Sequence, residues 1–143
     1  MLGRKDYTRA EIDTGKKTIE QQLGAHRKLA KELSGTNSVK ALESFDAHFF
    51  NNMTLVLDRL FVHRLSGPDY EGKDGNPLNE LRIIVDSLIS HDGKMRADNK
   101  IKLPPDSSIV GLDVGDTIKL TEDDFKRLSK AFFDELEQRF LKS

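Results

Sequence analysis

Residues 48 to 64, HFFNNMTLVLDRLFVHR, open on one histidine and close beside another, with further polar groups between them at helical spacing. At about 100° per residue, His48, Asn52, Arg59 and His63 fall within about 60° of one another on a helix. Neutral imidazoles bind metals or move protons near neutral pH, and a guanidinium grips phosphate or carboxylate through paired hydrogen bonds. The stripe is therefore a candidate seat for a small anionic ligand, with Arg82 and Asp86 of the following helix as partners. Its plainer reading is the one wet edge of a helix that is buried elsewhere, and spacing alone leaves both readings open. A metal fits poorly, because His48 and His63 lie about 22 Å apart along the axis at 1.5 Å per residue, too far for one ion. No metal site, cofactor or catalytic residue is assigned. His26 and His91 read as packing or helix-end residues.

The helix that carries this stripe is the most apolar in the chain. Phe45, Phe49, Phe50, Met53, Val56, Leu57, Leu60 and Phe61 cover a broad arc over about 39 to 65, and the pair Asn51 and Asn52 marks a point where the helix can break. Ahead of it, Thr8 and Glu11 have capping-box spacing. Ile12, Ile19, Leu23, Ala30 and Leu33 then share one side of a helix over about 9 to 33 that Gly35 ends, and Gly15 in that narrow seam lets a partner approach closely. After the glycine-rich stretch 66 to 75, Asn76 supplies a cap oxygen and Pro77 the fixed φ of a first helical position. Leu78, Leu81, Ile84, Val85, Leu88 and Ile89 are the buried face of that third helix, which stops at Gly93. KIKL (100 to 103) and TIKL (117 to 120) alternate like short strands. Thr121 and Asp124 repeat the cap, and Phe125, Leu128, Phe132, Leu136 and Phe140 line a last helix of about 20 residues. These elements predict a mainly α, four-helix bundle-like single domain over residues 1–143, with a small β-ribbon inserted between the third and fourth helices.

Composition narrows the function classes. With no cysteine there is no disulfide or thiolate chemistry. A charged start, MLGRKDYTRAEID, and the lack of any apolar run near the roughly 20 residues that span a bilayer predict a soluble cytoplasmic protein with no membrane partner. Basic and acidic residues nearly balance at 23 and 24, which makes nucleic acid an unlikely partner, although residues 1 to 35 carry eight basic against five acidic side chains. Gly67 to Lys73 matches the start of a phosphate loop, yet Asp74 stands where a hydroxyl should meet magnesium, and a helix precedes the loop where a strand is needed. A calcium loop from Asp69 to Glu80 fails too, since Asp74 replaces the turn glycine. No Glu-x-x-His pair, nucleophile elbow or His-Glu-x-x-His sequence is present.

The segments FFNNM, LVLDR and FVHRL, then GKDGNPLNE, then VGDTIKLTEDDF with AFFDELE, resemble a family of small actinobacterial proteins. The resemblance covers about Thr8 to Phe140 and implies a bacterial origin, but it carries no activity, ligand or catalytic residue. The expectation is a helical binding or interaction module whose eight phenylalanines fill the core and leave a patch for homodimer formation. The alternative is a small-molecule or anion-binding protein, or an enzyme, built on the stripe.

Overall fold

The computed structural model describes residues 6–61, 75–97, 103 and 105–141. Four helices dominate: α1 (Arg9–Leu33), α2 (Val39–Leu60), α3 (Pro77–Ser90) and α4 (Glu122–Phe140), with a short 3-10 turn at Pro105–Ser107. Their starts follow the cap chemistry. Thr8 Oγ1 accepts from the Glu11 N–H while Glu11 Oε1 accepts from the Thr8 N–H, at 3.1 and 3.2 Å. Thr121 and Asp124 close the same reciprocal box on α4, and Asn76 Oδ1 accepts from the Asn79 N–H ahead of Pro77. Each box satisfies donors that the first turn would otherwise leave bare.

The central helix α2 touches α1, α3 and α4, and runs unbroken through Asn51 and Asn52, contrary to the expected break. Asparagine is a weak helix former, but tertiary bonds to Asn51 outweigh that preference here. Phe50, Met53 and Leu57 meet Leu78, Leu81 and Ile84 of α3 and Phe125, Leu128, Phe132, Leu136 and Phe140 of α4 in one buried cluster. Ile12 and Ile19 close it from α1. Phe61 caps α2, and its ring lies so close to Gly15 that a Cβ there would overlap the buried Phe61 ring, so this seam favours glycine. Tyr7, fully buried just ahead of α1, donates its hydroxyl to the Phe61 carbonyl at 2.7 Å and pairs with Leu141, joining both ends of the described chain to the end of α2. Ile89 departs from its expected face and is 69 % exposed, while Ile83 is buried in its stead.

The β-ribbon does not form among the described residues. KIKL lies outside them except for Leu103, and TIKL takes part in a single antiparallel bridge, Lys94 to Thr117. Ile118 donates its N–H to the Gly93 carbonyl at 2.8 Å, so the segment pairs with the chain just after α3. The alternation nevertheless holds, with Ile118 and Leu120 buried and Thr117 and Lys119 exposed. No helix among the described residues is long and apolar enough to cross a membrane.

Across the outer seam of α1 and α4, Lys16 and Arg9 both donate to Glu137 Oε1. The Lys16 ammonium holds the Glu137 carboxyl below the usual carboxylate range, with Arg9 assisting and partial burial opposing. A carboxyl held low in the folded state stabilises it above its unfolded value near pH ~4.3, and that contribution disappears as acid titrates the folded group. Glu137→Gln should therefore flatten the acid limb of the melting-temperature profile below about pH 4.3 relative to wild type, as followed by circular dichroism from pH 3 to 7. Parallel acid limbs for the two proteins would remove Glu137 from the acid response.

Candidate functional site

The amide of Asn51 organises the region around the predicted stripe. Its Nδ2 donates to the Ile118 carbonyl at 2.8 Å and its Oδ1 accepts from the Leu120 N–H at 3.1 Å. A side chain on α2 thus plays the part of a neighbouring strand, and holds segment 117–120 along the helix. Between the two, and bounded by Leu88 and Gly93 at the end of α3, lies a cleft of about 520 Å³. Its walls come from Glu43, Ser44, Ala47, His48, Asn51, Asn52 and Leu55 of α2 on one side and Thr117, Ile118 and Lys119 on the other.

Asn51→Ala should cost about 2 kcal/mol, because the Ile118 carbonyl and Leu120 N–H both lose their partner, less a small gain in helix propensity. Asn51→Asp should not rescue it, since a carboxylate oxygen would then face the Ile118 carbonyl. Urea denaturation of both variants tests this, and an aspartate variant as stable as wild type would contradict the paired-amide geometry.

Of the residues singled out from sequence, His48 and Asn52 share this cleft. Arg59 is exposed on the same helix but does not line it, being about 10 Å further along the axis than Asn52 at 1.5 Å per residue. His63 lies outside the described residues. On α3, Arg82 is half-buried and Asp86 is exposed, with the Asp86 carboxylate 3.6 Å from the His91 ring, and neither residue lines the cleft. The expected meeting of Arg82 and Asp86 with the stripe is therefore not seen, because α3 presents Leu88 and its C-terminal end to the cleft. Lys119 and Glu43 went unnoticed in the sequence. The hint for Lys119 was available in the alternation of TIKL, which points it away from the core between Ile118 and Leu120.

The charges of this cleft are uncommitted. Among the described residues, Lys119, Glu43 and His48 form no ion pair, whereas Lys16, Lys126 and Lys130, which line a cleft between α1 and α4, all pair with carboxylates. Leu55, Leu88 and Ile118 give the cleft an apolar floor. A concave site with a few convergent polar groups over apolar side chains is the usual form of a small-molecule seat.

Among the described residues, a histidine and a glutamate are buried away from this cleft. His26, 6 % exposed, stacks on Phe49 and places Nε2 2.6 Å from Asp46 Oδ1. Its Nδ1 has no hydrogen-bond partner and lies 3.7 Å from Glu122 Oε1. Glu80, 1 % exposed, accepts from the Ser108 hydroxyl and from the N–H groups of Ile109 and Val110 at 2.7 to 3.0 Å. Among the described residues, no three His, Asp or Glu side chains converge as metal ligands. Comparison with family models, with curated proteins and with solved structures finds no match for this chain.

Proposed function

We propose that this chain is a binding domain that seats a small anionic metabolite in the cleft between α2 and segment 117–119. The observation that carries the reading is the presence of an unpaired Lys119 beside His48 and Asn52 over an apolar floor, where the cleft between α1 and α4 sets its three lysines against carboxylates. Lys119 supplies the charge that holds an anion, Asn52 supplies amide donors, and His48 adds a ring N–H. Arg59 of the stripe takes no part in this seat, which draws on His48 and Asn52.

The test is an NMR-monitored titration of the full chain with a panel of small carboxylates and inorganic phosphate. Shifts should centre on residues 43–55 and 117–119, and Lys119→Ala should weaken the best ligand about tenfold or more, roughly 1.4 kcal/mol. Arg59→Ala should leave affinity unchanged, and both variants should melt near wild type because both side chains are exposed. No shift in the cleft at millimolar anion, or equal losses from Arg59→Ala and Lys119→Ala, would reject the reading.

A further inference from the structure

The cleft holds one unpaired carboxylate as well as an unpaired cation, and an anion alone does not account for it. Glu43 stands two helical turns before Asn51, about 12 Å along the axis at 1.5 Å per residue, while Lys119 sits opposite Asn51 on the facing segment. No Glu43–Lys119 ion pair forms, although both side chains are long and exposed in the same cleft. Opposite charges held apart across a concave surface form the complement of a ligand that itself carries two opposite charges. The side-chain amides of Asn51 and Asn52 and the apolar side chains of Leu55, Leu88 and Ile118 line the same cleft.

We infer that the ligand is an amino-acid-class zwitterion, an apolar amino acid or short peptide, whose ammonium is received by Glu43 and whose carboxylate is received by Lys119. The inference rests on the anion-binding reading above and adds the second charge to it. An ammonium gives Glu43 a hydrogen-bonded counterion, and a carboxylate does the same for Lys119. A simple anion leaves Glu43 repelling the incoming charge, which selects against it. An apolar side chain on the ligand covers Leu55 and Leu88, which are only partly buried. The site therefore discriminates by two opposite charges and by apolar contact with Leu55 and Leu88.

The experiment titrates the full chain with L-leucine and glycyl-L-leucine, with 4-methylpentanoate, which lacks the amine, and with isopentylamine, which lacks the carboxylate. At least one zwitterion should bind tenfold or more tightly than either single-charge analogue. Glu43→Gln should erase that advantage while leaving the affinity for 4-methylpentanoate unchanged or improved, and Lys119→Gln should weaken both. Binding of 4-methylpentanoate as tight as that of both zwitterions, together with indifference to Glu43→Gln, would overturn the zwitterion inference and leave the anion-binding reading standing. Cleft shifts from none of the four probes, and none from the wider anion panel, would overturn both. Circular dichroism of the two variants confirms that any lost binding is not lost folding.

Discussion

Replacing Glu80 with alanine is expected to destabilise the fold by roughly 3–5 kcal/mol, the largest single effect predicted for this chain. The side chain is 1 % exposed, and its two oxygens accept three hydrogen bonds from residues 28 to 30 positions away. Oε1 takes the Ile109 N–H, and Oε2 takes the Val110 N–H together with the Ser108 hydroxyl. Consecutive backbone N–H groups converging on one carboxylate make an anion nest, here filled by the protein's own side chain. Glu80 also sits in the first turn of α3, where the helix N-terminus favours negative charge. Alanine would leave two backbone donors without a partner. Glutamine should fail to rescue, since one of its two arms becomes an NH₂ donor facing donors. Guanidinium denaturation gives the energy, and hydrogen exchange gives the location, because Ile109 and Val110 should lose amide protection ahead of the helices. A glutamine variant as stable as wild type would contradict the reading that both Glu80 oxygens accept hydrogen bonds.

Glu80 also shows where the sequence stops being legible. The caps at Thr8, Asn76 and Thr121 are local chemistry, complete within three residues, and the structure reproduces all three. The apolar periods of α1 and α4 are similarly local: all five residues of the α4 stripe are buried, as are Ile12 and Ile19 of α1, while Leu23, Ala30 and Leu33 are only partly covered. Satisfaction of a buried polar group depends instead on a distant partner. Read along α3, Asn79 and Glu80 belong with the polar face, yet both are buried. The same limit explains TIKL, whose alternation correctly identified the buried side chains but not their backbone partner. A strand-like segment needs its N–H and C=O groups met, and nothing in the pattern says that Asn51, 67 to 69 residues away, meets them. The candidate site was legible to the same degree: His48 and Asn52 follow from helical angle, but Lys119 and Glu43 join them only once segment 117–120 is docked.

His26 provides the second large effect. His26→Ala should destabilise by roughly 2–4 kcal/mol, while His26→Phe should cost less than about 1.5 kcal/mol. The ring is buried between α1, α2 and the start of α4, with centroids 4.9 Å from Phe49 and 4.8 Å from Phe50. Alanine removes this stack and leaves a cavity beside the core. Phenylalanine keeps an aromatic of similar shape, and so separates packing from hydrogen bonding. The bond to Asp46 is short at 2.6 Å, but Asp46 is 32 % exposed, so water can replace the imidazole on its carboxylate. Nδ1 works in the opposite direction, because a buried nitrogen without a partner carries a desolvation penalty that a carbon does not. The two polar terms thus partly cancel, and the aromatic surface decides the sign. Equilibrium denaturation in urea measures both variants under one condition. If His26→Phe loses as much as His26→Ala, the Asp46 bond outweighs the stack and His26 joins α1 to α2 chiefly by its hydrogen bond. If only alanine is costly, this histidine is held as an aromatic plate, in contrast to His48, which remains exposed on the cleft wall.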